Sequence, residues 1–326
     1  MIGGIKERRN NRRMMLFSGS SFPELTSMIA KELGISVGRV TRNKFSNGEI
    51  HIKFDESVRG AEVFVVQTCC EPINDNIMEL LIMIDALKRA SAVAINAVIP
   101  HYGYARQDKK AEGREPITAK LFANLLSVAG MSRAILVDLH AATIQGFFDL
   151  PVDHVTAIPI IAKYFKEKNI KNGVVVSPDV GGVKRASIFA KRLHFPLAIL
   201  HKRRPAPNKA EIEHIVGDVG GREAIIFDDI IDTGDTLLKA VDMLLRYKAK
   251  KIYVGATHPI FSGNAIEKFK SSKIEELVVM DTIPIKSKNN SNKIKVLSIA
   301  SLLAKTIKKV YHCKSVSELF KGENLV

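Results

Sequence analysis

The chain has 326 residues, 46% of them hydrophobic and 25% charged, which is typical of a globular protein long enough for two domains. Its 49 basic and 34 acidic residues give a formal net charge of +15, which attracts polyanions such as nucleic acids or phosphorylated small molecules. Aromatic residues make up only 6% and do not alternate with basic ones as in base-stacking surfaces, so we expect small anionic substrates and no nucleic acid.

Two features of the sequence bear on the cellular compartment. No run of about 18 apolar residues is present that could span a membrane, and the basic residues 1–13 lack the apolar segment of a secretory signal. We interpret residues 1–13 as a disordered extension. The three cysteines, Cys69, Cys70 and Cys313, form neither a disulfide framework nor a metal-ligand pattern. The sequence therefore predicts a cytoplasmic protein that does not bind membranes.

Short β-branched runs alternate with helical stretches, which predicts an α/β fold with a mostly parallel sheet. In the first half the pattern predicts, in chain order, strand Val63–Thr68, helix Asn76–Ser91, strand Ala94–Ile99, helix Thr118–Val128 and strand Ala134–Val137. In the second half it predicts helix Ile158–Lys168, strand Val174–Ser177, helix Gly182–Leu193, strands Leu197–Leu200 and Ala224–Phe227, a helix containing Leu237 to Leu245, strand Lys251–Ala256, a short helix and strand Leu277–Met280. The polar stretch Lys286–Lys293 is predicted to be a mobile loop.

The two series of elements are similar in size, and each has strands that end in acidic residues. This arrangement predicts a duplicated α/β domain, with residues 14–156 in the first copy and 157–326 in the second. The end of the chain is expected to pack back on the first domain.

The segment Ile225–Thr236 (IIFDDIIDTGDT) carries the most specific chemical pattern. Its apolar run ends at Asp228 and Asp229, and the loop that follows opens a helix. Free N–H groups and small hydroxyl residues at a helix N-terminus suit a phosphate, and paired carboxylates can accept hydrogen bonds from two sugar hydroxyls. Two acids alone fit an acidic strand end and an ordinary helix cap equally well, but the Thr-Gly-x-Thr spacing favours a sugar-phosphate site.

This segment resembles the phosphoribosyl-pyrophosphate motif of the type I phosphoribosyltransferase fold. Further motifs resemble those of ribose-phosphate pyrophosphokinases of the phosphate-regulated class: FSNGE (Phe45–Glu49), IMELLIMIDALKRASA (Ile77–Ala92), YARQDKK (Tyr104–Lys110), PITAKLFANLL (Pro116–Leu126), DLHAATIQGFFD (Asp138–Asp149), SPDVGGVKRA (Ser177–Ala186), KRRPAPN (Lys202–Asn208), THPIFSGNA (Thr257–Ala265) and SVSELF (Ser315–Phe320). The resemblance implies two similar domains of that fold, each a mostly parallel sheet flanked by helices. It also implies transfer of the β,γ-diphosphate of ATP to the 1-hydroxyl of ribose 5-phosphate, giving phosphoribosyl pyrophosphate and AMP for nucleotide biosynthesis.

The resemblance further implies roles for individual residues. Lys202 and Arg204, in a basic loop suited to a lid, stabilise the charge of the transferring diphosphate. ATP is bound by Phe45, Asn47, Gly48, Glu49, Arg106, Gln107, Asp108 and His140, and the turn around Asn47 reaches the site of a neighbouring subunit. Ribose 5-phosphate is bound by Arg204, Asp228, Asp229, Asp232, Thr233, Gly234, Asp235 and Thr236. Mg²⁺ is held by His140 and Asp179, with Asp138, Asp149 and Asp153 as second candidates.

Regulation and assembly are also implied by the resemblance alone. The family forms homohexamers built from dimers, which phosphate activates and ADP inhibits at an inter-subunit site. The matching residues are Arg59, Arg114, Ser315, Ser317 and Phe320. Without the family, the two arginines read as surface charges and the SVSELF motif as a capping turn.

The sequence departs from the family pattern at three positions. Asn47 stands where Asp is more common, Val180 where a small or polar residue is usual, and Asp235 where Gly is usual. A carboxylate that points toward a bound phosphate is unfavourable, so we expect the side chain of Asp235 to point to solvent. Two alternatives to an active kinase remain: a silent regulatory subunit, which Asp235 favours, and a phosphoribosyltransferase, against which the ATP motif argues.

Overall fold

The computed structural model describes residues 12–206, 209–285 and 292–320, and for residues 202–213 it describes the backbone only. The described chain divides into two compact units. One unit runs to Val155 and takes in the chain from Ala300, and the other spans Thr156–Ile299. No helix in the described part of the chain is long and apolar enough to cross a membrane.

The first unit contains a five-stranded parallel sheet in the order β1-β4-β5-β6-β7 and a separate β2–β3 hairpin. Its strands are β1 Met14–Ser18, β2 Val40–Lys44, β3 Ile50–Phe54, β4 Glu62–Val66, β5 Ala94–Ile99, β6 Arg133–Val137 and β7 Val152–Val155. Its helices are α1 Pro23–Leu33, α2 Ile73–Arg89, α3 Thr118–Ala129 and α8 Ala300–Tyr311, with short 3-10 segments at Ala142–Phe147 and Ser317–Phe320. The central strands are buried along most of their length, which explains why they read as continuous apolar runs.

The second unit contains a seven-stranded sheet in the order β10-β9-β8-β11-β12-β13-β14. The strands are β8 Gly173–Ser177, β9 Leu197–Ala206, β10 Lys209–Val216, β11 Glu223–Ile231, β12 Lys251–Pro259, β13 Glu276–Met280 and β14 Ile294–Leu297. The helices are α4 Ile158–Glu167, α5 Val183–Leu193, α6 Asp235–Arg246 and α7 Ala265–Ser271. All neighbouring strands are parallel except β9 and β10, which are antiparallel.

The connections of this sheet reverse direction between β8 and β11. From β8 the chain passes through α5 to β9 on one side, and from β11 it passes through α6 to β12 on the other. In open α/β sheets, ligands bind at the carboxyl ends of the strands at such a switch point. The topology therefore marks the ends of β8 and β11 as the place for a ligand.

The predicted α/β class with mostly parallel sheets is confirmed, and the strand Ala94–Ile99 has the predicted bounds. The prediction of a basic loop carrying Lys202 and Arg204 is wrong. The strand that begins at Leu197 continues to Ala206 and pairs with β10, so both residues lie in a β-hairpin arm. An antiparallel strand pair with one face open to solvent tolerates polar residues. The basic residues of this arm therefore did not show the apolar pattern from which a strand is predicted.

Two expectations concern residues that are wholly or partly outside the described ranges. Residues 1–11 lie outside them, as does most of the predicted loop over Lys286–Lys293. The last two residues of the predicted disordered extension are held in place. The backbone carbonyl of Arg13 accepts the backbone N–H of Glu62 at 3.0 Å, and the side chain of Arg12 forms an ion pair with that of Glu62 at 3.8 Å.

Candidate functional site

The acidic pair of the IIFDDIIDTGDT segment lies beyond the point where β11 stops pairing with β8. The last pairing between these strands joins Ile226 to Val176, whereas β11 continues to Ile231 alongside β12. The predicted strand end at Phe227 is therefore too early, because pairing with β12 prolongs the strand. Asp228 and Asp229 lie in this extension, at the switch point of the sheet.

A buried arginine from α5 compensates the two carboxylates. The Nη1 atom of Arg185 lies 3.1 Å from Oδ1 of Asp229 and 3.5 Å from Oδ1 of Asp228. The side chains of Arg185 and Asp229 are only 8% and 2% exposed, whereas 27% of the Asp228 side chain is exposed. Buried charges are tolerated when they are paired. Asp229 therefore orients Arg185, and Asp228 is the member of the pair that a ligand can reach.

The environment of Asp228 raises the pKa of its carboxyl group. Desolvation is the main cause, and the neighbouring carboxylate of Asp229 adds to it, while Arg185 acts in the opposite direction. Oδ1 of Asp228 also accepts the backbone N–H of Asp229 at 2.9 Å. The carboxyl group is thus fixed in orientation, and its charged form is only partly compensated by Arg185.

Asp179 lies after the end of β8, in the loop that precedes α5. Its Oδ1 accepts the backbone N–H of Gly182 at 3.0 Å, and its carbonyl accepts the hydroxyl of Ser177 at 2.7 Å. These bonds fix the loop between β8 and α5. Asp179 thus follows β8, the strand that pairs with β11, and β11 carries Asp228.

The loop Asp232–Thr236 leads into the first turn of α6. Gly234 adopts a left-handed conformation (φ +79°), and a Cβ there would lie 2.5 Å from the ring of Phe269. Both the conformation and the close approach require glycine. The first N–H groups of α6 have no carbonyl partner within the helix, so this turn is chemically suited to bind an anion. The hydroxyl residues Thr233 and Thr236 are exposed beside it.

Asp235, at the first position of α6, is held by an ion pair. Its Oδ1 lies 2.6 Å from Nζ of Lys268, and its Oδ2 accepts the hydroxyl of Thr233 at 2.9 Å. The bond from Lys268, followed by that from Thr233, lowers the pKa of this carboxyl group. The side chain is 60% exposed, which confirms the expectation that it points to solvent.

In the first unit, the residues expected to bind ATP phosphates follow adjacent parallel strands. Arg106 and Gln107 follow β5, and His140 follows β6. Gln107 fixes the first of these loops, because its backbone N–H donates to Tyr104 at 2.9 Å and its Oε1 accepts the hydroxyl of Thr118 at 2.6 Å. Asp108 is half-buried, whereas Arg106 and His140 are exposed. Both exposed side chains follow the carboxyl ends of their strands, where ligands bind in open α/β sheets.

The turn that carries His140 is shaped by β7. Asp138 is buried and has a positive φ of 34°, and its N–H donates to the carbonyl of Val155 at 2.9 Å. The buried His154 accepts the N–H of Leu139 on its Nε2 atom at 2.9 Å. These long-range bonds hold a backbone conformation that a non-glycine residue adopts rarely.

The remaining metal candidates differ in their surroundings. Asp153 forms an ion pair with Arg133 of the neighbouring strand at 2.6 Å, and Asp149 is exposed. Within the ranges that the structure describes, no cluster of three or more His, Cys, Asp or Glu side chains could hold a metal ion. The assignment of metal ligands therefore stays a prediction.

The expected adenine-binding turn is the tip of the β2–β3 hairpin. The N–H of Phe45 donates to the carbonyl of Glu49 at 2.9 Å, Gly48 has φ +91°, and the side chain of Asn47 accepts the N–H of Glu49 at 3.1 Å. Phe45 is 56% exposed, so the hairpin presents an aromatic ring at its tip. An ion pair between Lys44 and Asp75 at 2.6 Å joins the base of the turn to α2.

The other predicted residues have the following positions. The backbone of Lys202 and Arg204 lies in β9, and their side chains are outside the described part of the structure. Arg59 and Arg114 are exposed. The hydroxyls of Ser315 and Ser317 are 2.8 Å apart, and Phe320 is buried.

Three residues of these sites were not singled out from the sequence: Arg185, His154 and Lys268. Arg185 had a signal, because it lies four residues before Phe189 on the apolar face of α5, where an arginine needs a partner. No signal in the sequence pointed to His154 or Lys268, because their contacts join segments that are distant in sequence.

Comparisons with known proteins identify the family of the chain. A family model described as the N-terminal domain of ribose phosphate pyrophosphokinase matches residues 14–130, and one described as a phosphoribosyl synthetase-associated domain matches residues 205–321. The chain is 53% identical to the ribose-phosphate pyrophosphokinase of Oceanobacillus iheyensis, over 94% of this chain and 97% of that protein. It is 50% identical to that of Bacillus subtilis, over 97% of this chain and 100% of that protein.

A solved structure gives the same result. The phosphoribosylpyrophosphate synthetase of Mycobacterium smegmatis superposes with a TM-score of 0.89 at 46% identity, over 93% of this chain and 100% of that chain. The expected phosphoribosyltransferase-type fold and the expected family are both confirmed. This chain belongs to the ribose-phosphate pyrophosphokinase family, the enzymes that transfer a diphosphate from ATP to ribose 5-phosphate.

Proposed function

We propose that the second unit binds ribose 5-phosphate on Asp228 and Asp229 and on the loop formed by Asp232, Thr233, Gly234, Asp235 and Thr236. The observation that carries this assignment is the position of an oriented carboxylate pair and a helix N-terminus on one strand and loop, at the switch point of the sheet. The N–H groups of α6 bind the 5-phosphate, and the reachable carboxylate of Asp228 accepts hydrogen bonds from ribose hydroxyls.

The first unit binds ATP in this proposal. The exposed ring of Phe45 stacks on the adenine, and the turn formed by Asn47, Gly48 and Glu49 supplies polar contacts to its edge. Arg106, Gln107, Asp108 and His140 bind the phosphates. Arg106 suits this role because a guanidinium forms paired, charge-assisted hydrogen bonds with phosphate oxygens.

Diphosphoryl transfer requires that the protein position the reacting groups and place positive charge beside the phosphate oxygens, and it requires little covalent catalysis. The 1-hydroxyl oxygen of ribose 5-phosphate attacks the β-phosphorus of ATP, the bond from that phosphorus to the α,β-bridging oxygen breaks, and AMP leaves. Lys202 and Arg204, on the β9–β10 arm, stabilise the negative charge on the transferring group and help to exclude water.

Magnesium is the metal that this proposal requires. The residues present fit it, because Asp179 offers carboxylate oxygen and His140 is exposed, and Mg²⁺ prefers oxygen ligands and retains several waters. An ion held there would offset the negative charge of the nucleotide phosphates. His140 and Asp179 would hold it, with Asp138, Asp149 and Asp153 as second candidates.

We also propose a homohexamer built from dimers in the cytoplasm. An exposed apolar stripe on α3 supports self-association: Leu121, Leu125 and Val128 are 54%, 42% and 78% exposed at helical spacing. Phosphate activates and ADP inhibits this assembly through Arg59, Arg114, Ser315, Ser317 and Phe320. The paired hydroxyls of the two serines suit an anion.

The decisive test is a reaction with purified protein, Mg²⁺, ATP and ribose 5-phosphate. AMP and phosphoribosyl pyrophosphate are expected to form in equal amounts, and removal of Mg²⁺ with a chelator is expected to abolish both. Formation of ADP, or binding of both substrates without turnover, would contradict the proposal.

A further inference from the structure

The position of Lys268 beside the loop Asp232–Thr236 has no role in the proposed function. Lys268 lies on α7, next to Phe269, whose ring packs against Gly234 of the loop Asp232–Thr236. This packing places the neighbouring Lys268 beside the loop. Its Nζ lies 2.6 Å from Oδ1 of Asp235 and 3.4 Å from the carbonyl of Thr233.

Asp235 creates an electrostatic conflict at this loop. It stands at the first position of α6, where the helix N-terminus attracts an anion, and a phosphate bound to the same turn would be repelled by its carboxylate. The carboxylate also accepts the hydroxyl of Thr233, which is a donor that a phosphate would use. A bound phosphate therefore competes with Asp235 for both the helix N-terminus and the hydroxyl.

Lys268 resolves this conflict in two ways. Its ammonium group balances the charge of Asp235, and it provides the carboxylate with a hydrogen-bond partner from outside the helix. When Thr233 turns to the phosphate, the bond to Lys268 remains. The second contact, from Nζ to the carbonyl of Thr233, ties the lysine to the loop itself.

We infer that Lys268 is a positioning and charge-balancing residue for ribose 5-phosphate, and that its role exists because this chain carries Asp235. This inference rests on the proposed assignment of the loop as the ribose 5-phosphate site. The role of Lys268 depends on the presence of Asp235, and Asp235 is tolerated in this loop because Lys268 is present. A loop with a smaller, uncharged residue at position 235 has no need of the lysine.

The test is a double-mutant cycle on the full-length protein. Lys268→Ala is expected to raise the KM for ribose 5-phosphate by about tenfold at low salt, because it leaves a carboxylate without its counter-charge beside the phosphate. The KM for ATP is expected to stay unchanged. Asp235→Gly is expected to change the KM for ribose 5-phosphate modestly, and adding Lys268→Ala to it is expected to cause little further change.

Three controls sharpen the cycle. Lys268→Arg retains the ion pair and is expected to keep the wild-type KM. Lys270→Ala removes an exposed lysine from the same helix and is expected to have no effect. Calorimetric titration with ribose 5-phosphate gives the affinities independently of turnover, and the loss in Lys268→Ala is expected to shrink as salt rises.

Two results would overturn the inference. One is a Lys268→Ala variant with wild-type affinity for ribose 5-phosphate. The other is an equal loss in the wild-type and Asp235→Gly backgrounds, which would mean that Lys268 contacts the phosphate directly. Asp228→Ala and Thr236→Val separate this from a failure of the proposed site: if neither weakens ribose 5-phosphate binding, the loop is not the site and both assignments fall.

Discussion

Replacement of Arg185 by Met tests the electrostatic arrangement at the switch point most directly. Arg185 is 8% exposed and compensates Asp229, which is 2% exposed, and the more accessible Asp228. Methionine has a similar length and no charge, so the change removes the counter-charge with little change in volume. Removal of one partner from a buried ion pair costs about 3–5 kcal/mol, because the other charge stays buried without compensation.

The expected loss in this protein lies at the lower end of that range, since solvent reaches Asp228 and screens part of the repulsion. A loss of about 3 kcal/mol in a unit of this size lowers the midpoint of thermal unfolding by roughly 6–12 °C. The measurement is thermal unfolding at pH 7 followed by circular dichroism. Lys191→Met, an exposed lysine on the same helix, is the matched control and is expected to change the midpoint little.

The pH dependence gives an independent check. Because the pKa of Asp228 is raised in the folded state, its contribution to stability is complete below the pKa of the unfolded chain and is lost as the pH rises through the raised value. Arg185 lowers that pKa, so its removal extends the loss to higher pH. The deficit of Arg185→Met is therefore expected to shrink toward acid pH. A deficit below about 1 kcal/mol, or one that does not change with pH, would refute this account.

The remaining predictions concern activity. Lys202→Ala is expected to lower kcat by about 100-fold or more with little change in either KM, and a change confined to KM would contradict its role in charge stabilisation. Asp228→Ala is expected to weaken ribose 5-phosphate binding and spare ATP binding in calorimetric titrations, whereas an equal loss of both would count against the sugar site. Phe45→Ala is expected to raise the KM for ATP about tenfold through loss of stacking, with no change for ribose 5-phosphate. Ser317→Ala is expected to lose activation by phosphate while keeping basal activity, and a protein indifferent to phosphate from the start would remove the regulatory assignment.

Much of the fold could be predicted from the sequence because its core elements have clear periodicity. The strand Ala94–Ile99 and the helix beginning at Thr118 are apolar on the faces that the structure buries. The continuation of β9 beyond Leu200 could not be predicted in this way. Most of its residues are polar or basic, and its strand character comes from pairing with β10.

The sequence by itself determined the family, and it predicted a sugar-phosphate site over Asp228–Thr236, because the order Asp228-Asp229 followed by Thr-Gly-x-Thr is local and needs no distant partner. Only the tertiary structure decided which side chains balance these charges. Arg185 reaches the acidic pair from another helix, and Lys268 reaches Asp235 from a helix that lies 33 residues later in the sequence. Hydrophobic periodicity reports which face of an element is buried, whereas the partner of a charge depends on how the elements pack, which no local pattern contains.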